Sequence, residues 1–131
     1  MYIKLPTLVR TPIYQDGELV DIKTEKKYID FSLDFSIYAE ERYERYIRDR
    51  VPGHPTFMEF ISKVANLNPK NLQEVAVNFR LILKVLYCFL ESKEVPTFED
   101  FLKLFDFEIA QEILDKTVKV IELSQRSVGK N

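Results

Sequence analysis

Tryptophan is absent from this 131-residue chain, and cysteine and histidine occur once each. A single cysteine, Cys88, excludes an intrachain disulfide and fits a reducing compartment. One cysteine and one histidine, His54, supply no recurring ligand spacing for a metal. They also supply no base and orienting group for a serine, threonine or cysteine nucleophile. Cys88 reads instead as a small buried hydrophobe in a core helix, and His54 as a solvated loop residue. Of the three glycines, Gly17, Gly53 and Gly129, none belongs to a phosphate-cradling loop. The longest apolar stretch, Leu81 to Leu90, is interrupted by Lys84 and falls well short of the roughly 20 residues that cross a bilayer. The segment MYIKLPTLVR has no long apolar core and no small-residue cleavage site, so no secretory signal is expected. These deficits predict a cytoplasmic protein with no cofactor and no enzymatic activity.

Charge of one sign is missing too. Nineteen basic and 21 acidic side chains leave a net charge of −2. Residues 1–50 and 51–131 each carry one more acid than base, so neither end is a charged tail. General nucleic-acid binding rests on phosphate neutralisation by a basic face, and no such face is visible. The mixture of Tyr38, Tyr43 and Tyr46 with Arg42, Arg45, Arg48 and Arg50 resembles a stacking surface, but Glu40, Glu41, Glu44 and Asp49 cancel it. Glu41/Arg45 and Glu44/Arg48 are acid-first pairs four residues apart, the favourable helical order. They predict a self-neutralised outer face, with Ala39, Tyr43, Tyr46 and Ile47 on the packing side and Tyr38 off that stripe.

What the chain does have is apolar mass for one core. Apolar residues make up 46% of it, with ten phenylalanines and seven tyrosines, and its length predicts one domain that buries roughly two-thirds of its unfolded surface. The fold class expected is α+β: a small N-terminal antiparallel meander over residues 1–35, a helical part over 36–127 with about five helices, and a frayed tail over 128–131. Asp16-Gly17 between two apolar pairs predicts a tight hairpin, because both residues tolerate positive φ. The polar run Lys23 to Lys27 reads as a second connection before a third strand, Tyr28 to Phe35, in which Ile29, Phe31, Leu33 and Phe35 alternate with polar residues. Pro6 and Pro12 place the first strand at an edge or break it.

From Ser36 the period is helical. A first helix is expected to run to Arg50 and stop at Pro52-Gly53-His54-Pro55. Thr56 and Glu59 form a capping box for a short helix through Phe57, Phe60, Ile61 and Val64. Asn68-Pro69 reads as the cap of the next helix, Leu72 to Leu90, in which 14 of 19 residues are apolar, the mark of a central buried helix. Pro96 ends the following connection, Thr97 with Asp100 opens a short helix through Phe98, Phe101, Leu102 and Phe105, and a last helix starts near Asp106. From Ser124 onward there is little to bury. The two short helices are aromatic-rich for their length, so Phe57, Phe60, Phe98, Phe101 and Phe105, with Tyr38 as the exposed aromatic of the first helix, are the residues expected to present apolar surface to a partner helix.

Three stretches resemble a known family. Asp34 to Glu44, DFSIYAEERYE, is similar to the sheet-to-helix junction of tail assembly chaperones from long-tailed (siphovirus-type) phages and prophages. Leu83 to Phe89, LKVLYCF, resembles their central helix, and Val95 to Phe105 the segment after it; the order of elements agrees over most of the chain. These words concern packing and carry no catalytic signature. The resemblance implies a protein of the host cytoplasm, absent from the mature virion, that binds the tape-measure protein, keeps that long helical chain soluble and helps recruit tail-tube subunits. The expected partners are therefore the tape-measure protein, the tail-tube protein and a further copy of the chain, with neither nucleic acid nor membrane. The longer β segment here adds a sheet edge as an assembly surface. Such chaperones commonly have a longer frameshifted product, and Lys130-Asn131 can be encoded by a slippery adenine run. The alternative reading is a small phage-encoded regulator or inhibitor that binds a host protein.

Overall fold

The computed structural model describes residues 1–91 and 97–129, the side chains of 126–129 excepted. Strands β1 (Tyr2–Gln15) and β2 (Glu18–Ser32) form one long antiparallel ribbon. Asp16 and Gly17 turn the chain with φ of 53° and 82°, the left-handed pair that an Asp-Gly hairpin requires. The expected third strand is not a separate one. Lys23 to Lys27 continues β2 opposite Thr7 to Thr11, so the three-stranded meander becomes a two-stranded ribbon. The polar run is exposed as strand, and a ribbon wetted on both faces needs no hydrophobic alternation. Both prolines lie on an edge, as every strand of a two-stranded sheet does.

The ribbon is buried only at its base, and surface ion pairs hold the stem above it. Ile3, Leu5, Thr7, Phe31 and Leu33 are buried, whereas residues 9–28 are all exposed. Thr7 Oγ1 donates to the Leu104 carbonyl. Arg10 pairs with Asp106 at 3.0 Å, and Lys26 pairs with Glu112. Leu33 then bridges to Leu90, and the Asp34 N–H donates to the Phe89 carbonyl at 2.8 Å, which ties the exit of the ribbon to the centre of the helical part.

Helix α1 (Tyr38–Arg42) passes without a break into a π-helical turn (Tyr43–Ile47) and a 3-10 turn (Arg48–Arg50). The π turn holds one extra residue and rotates the remainder of the helix about its axis. Tyr43 and Ile47 are therefore buried, while Tyr46, expected on the packing side, is 56% exposed. The Glu44/Arg48 pair forms at 2.8 Å. After Gly53 and His54, both with positive φ, Thr56 caps α2 (Phe57–Ala65). The Glu59 N–H donates to Thr56 Oγ1 at 3.2 Å and the Thr56 N–H to Glu59 Oε1 at 3.0 Å. Removing the cap with Thr56→Ala is expected to cost about 1 kcal/mol, read as a lower urea midpoint at unchanged m.

The expected helix from Leu72 to Leu90 is two. α3 (Leu72–Val77) ends where Asn78 turns its amide onto the Glu74 carbonyl at 2.8 Å, and α4 (Phe79–Cys88) starts anew. The cap is Asn71, whose Oδ1 accepts from the Glu74 N–H at 3.1 Å, while Asn68 instead closes a turn onto the Lys70 N–H. Only α4 is central: Ile82, Leu83, Val85, Leu86, Tyr87 and Cys88 are buried, whereas Leu72 and Val77 of α3 lie exposed. α5 (Phe98–Leu102) is capped by Thr97, as its sequence predicts. A 3-10 turn (Phe107–Ile109), capped by Asp106, leads into α6 (Ala110–Gly129), the second long partner of the core. α6 continues helical past Ser124. Pro96, part of the third family-like stretch and the last two residues of the expected tail lie outside the described residues.

Candidate functional site

Between β2 and α1 the chain makes two short local turns. Asp34 Oδ1 accepts from the Ser36 N–H at 2.8 Å, and Ser36 Oγ from the Tyr38 N–H at 3.2 Å. The result pushes Ile37 outward, where it is 78% exposed. Beside it α2 presents Phe57, half-buried, and Met58, 57% exposed. Phe89 lies beneath, its ring 5.9 Å from both Phe35 and Phe57. These side chains, with Ile61 and with Ser124 and Gln125 of α6, enclose an open groove of about 490 Å³. Its floor is aromatic, its rim is Ile37, Met58 and Glu40, and Ser36, Ser124 and Gln125 complete the edge.

A second depression of about 410 Å³ lies on the other side of α1, among Tyr38, Tyr46, Arg50, Tyr87, Phe98 and Glu99. Its floor holds a group that sequence reading placed on the outer face. Arg42 is 3% exposed; its Nη1 donates to the Tyr87 carbonyl at 3.2 Å and to the Leu90 carbonyl, and its guanidinium stacks 4.1 Å from the Tyr87 ring. Arginine among glutamates looks like surface. The signal that assigns it inside is the group of carbonyls that ends α4 within the protein, visible only in three dimensions.

The six residues expected to meet a partner divide into two groups. Tyr38 stands on the surface, Phe57 walls the groove, and Phe105 is half-buried against Phe101 at 4.9 Å. Phe60, Phe98 and Phe101 are core residues. Phe60 stacks on Tyr43 at 4.4 Å, Phe98 meets Tyr87 edge-on, and Phe101 meets Phe31 and Tyr87. The expectation that all six present apolar surface is thus corrected for Phe60 and Phe101, which are fully buried and hold their helices in the core, and for Phe98, which shows only an edge to the second depression. Ile37 and Met58 are the groove residues that sequence reasoning missed. A single exposed apolar side chain carries no pattern until its neighbours are known.

The titratable groups follow their surroundings. Burial pushes the Cys88 thiol far up, consistent with a packing role, and raises Tyr43, whose hydroxyl donates to the Pro55 carbonyl. The capping hydrogen bond from the Thr56 backbone holds Glu59 below the usual carboxylate range. Among the described residues no three His, Cys, Asp or Glu side chains gather as metal ligands, and no helix is long and apolar enough to cross a membrane. No family model matches the chain, and no match is found among curated proteins or solved structures.

Proposed function

We propose that this protein is a tail assembly chaperone of a long-tailed phage or prophage, working in the host cytoplasm. It binds amphipathic helices of the tape-measure protein, keeps that chain soluble and helps bring tail-tube subunits to it. The observation that supports this best is the open groove between α1, α2 and α6, with its aromatic floor and its exposed Ile37 and Met58. An amphipathic helix seats its apolar face in such a groove through side chains one turn apart, and the methionine at the rim adapts to varied sequences. The groove begins at Ile37, inside the stretch that resembles the family junction.

The test is co-expression with the tape-measure protein encoded alongside. The soluble yield of that protein is expected to rise, and a complex is expected to survive size exclusion. Ile37→Glu with Met58→Glu puts two charges on the rim without touching the core. It is expected to weaken the complex by at least about tenfold, while thermal unfolding of the free chain stays within a few degrees of wild type. A tape-measure protein no more soluble in the presence of the wild-type chain, with no complex recovered, overturns the proposal.

A further inference from the structure

Residues 9–28 form an uninterrupted exposed arm whose two strands pair with no third strand, tied to the body through Arg10 to Asp106 and Lys26 to Glu112. A two-stranded ribbon is marginal alone in water, and its free edges are templates for another strand. The two edges differ. Pro6 lies opposite Tyr28 and Pro12 opposite Ile22, an even spacing that puts both prolines on the same class of ladder position. A proline leaves the ladder intact only where the missing N–H would have pointed away from the neighbouring strand. The Ile22 N–H is directed accordingly: it donates to Oδ1 of its own neighbour Asp21 at 2.8 Å. The outer edge of β1 has thus lost a donor at each proline, at Pro12 in the exposed arm and at Pro6 in the buried base. The outer edge of β2 contains no proline, and its donor at Ile22 is covered only by a flexible carboxylate.

Charge selects what covers that edge. Residues 13–22 at the tip carry Asp16, Glu18 and Asp21 and no base, whereas the stem of β2 carries Lys23, Lys26 and Lys27 against Glu25. Lys23 rests on Glu25 at 3.0 Å and Lys26 on Glu112, all four at the surface where they can exchange partners, so tip and stem are complementary when a second arm runs the opposite way. The exposed stretch of β2 with its turn spans 16–28, and its midpoint is Ile22. Overlap beyond that is blocked by the body, since Ile29 is half-buried and Phe31 buried.

We propose that two copies of this chain associate through the outer edges of β2, antiparallel about a two-fold axis at Ile22, as a four-stranded sheet in the order β1, β2, β2, β1. In this register Ile22 faces Ile22, and Asp21 of each copy faces Lys23 of the other. Each acidic tip then runs along the other copy's basic stem, and no like charges stand directly opposed. The interface is self-complementary and closes at two copies. It lies apart from the groove, so its failure and that of the chaperone reading are distinguishable.

Sedimentation equilibrium of the full chain, from about 1 to 200 μM, reads the association. The mass is expected to rise from 15.5 kDa towards twice that value. Asp21→Lys and Lys23→Asp are each expected to weaken the dimer at least about tenfold. The double variant restores it to within about threefold, because the reversed pairs are again complementary across the axis. Ile22→Pro removes an outward donor while keeping the β1–β2 ladder, and is expected to give monomer with unchanged thermal unfolding. Mild oxidation is expected to cross-link Ile22→Cys into a dimer and to leave Thr11→Cys, on β1, monomeric. A wild-type chain that stays monomeric throughout, or an oligomer indifferent to these substitutions, overturns the proposal.

Discussion

Phe101→Ala is expected to lower the stability of the protein by about 3–5 kcal/mol, a large share of the total for a domain of this size. The ring is fully buried and ties three parts of the chain together. It meets Phe31 of β2 edge-on at 5.9 Å, Tyr87 of α4 at 5.7 Å and Phe105 at 4.9 Å. α5 has only five residues, too few to be helical on their own. The Thr97 cap supplies about 1 kcal/mol, so the helix depends on what its rings bury. Removing the Phe101 ring leaves a void between the base of the ribbon and the central helix, and neighbours on three rigid elements cannot all close in on it. Urea unfolding followed by circular dichroism is expected to show a lower midpoint at unchanged m. Phe107→Ala is the control: Phe107 also touches an aromatic ring, Phe79 at 5.4 Å, but is 68% exposed, and its loss is expected to cost under about 1 kcal/mol. Equal losses for the two would contradict the assignment of Phe101 to the core.

The contrast between these two rings shows what the sequence carries and what it withholds. Local chemistry was legible. The Asp16-Gly17 turn, the Thr56/Glu59 box, the Thr97 cap and the stop before Pro52 all depend on residues within a few positions of one another. The α+β division came from the change of period at Ser36. What escaped depends on the third dimension. Lys23 to Lys27 reads as a loop wherever strands are assumed to have a buried face, and this ribbon has none beyond its base. The π turn displaced Tyr46 from a stripe that is correct for an ideal helix. Phe60, Phe98 and Phe101 were recognised as the aromatic anchors of short helices, but whether an anchor faces inward or outward is decided by α4, Tyr43 and the ribbon, all distant in sequence. The groove was half legible: Phe57 announced itself within a cluster, while Ile37 and Met58 acquire meaning only beside Phe35 and Phe89. The unequal edges of the arm were present in the positions of Pro6 and Pro12, and became readable once the register was known.

Arg42→Met is expected to cost about 3–4 kcal/mol, although the residue sits in a run of charges that reads as surface. The last carbonyls of a helix have no partner within it. In α4 these groups lie inside the protein, where donors must come from the chain; the Tyr87 carbonyl accepts from the Leu90 N–H at 3.2 Å and has a second lone pair to satisfy. Arg42 reaches across from α1 and donates to two of the carbonyls in that region, Tyr87 and Leu90, and its charge lies at the negative end of the helix dipole. Its face on the Tyr87 ring at 4.1 Å adds a cation–π contact in a dry setting. Methionine keeps the packing of the stem and gives no donor, so these two carbonyls lose hydrogen bonds that came from a charged group. Arg42→Lys keeps the charge but loses the fork and the stacking plane, and is expected to fall between the two, at about 1–2 kcal/mol. Because the group is buried, added salt is expected to leave this ranking unchanged, in contrast to surface pairs such as Lys4/Asp30. Equilibrium unfolding of the three proteins at low and high salt reads the order directly. A methionine variant as stable as wild type would mean that the backbone donors at the end of α4 suffice without Arg42, and that aromatic packing around Tyr43 alone seats α1 on the core.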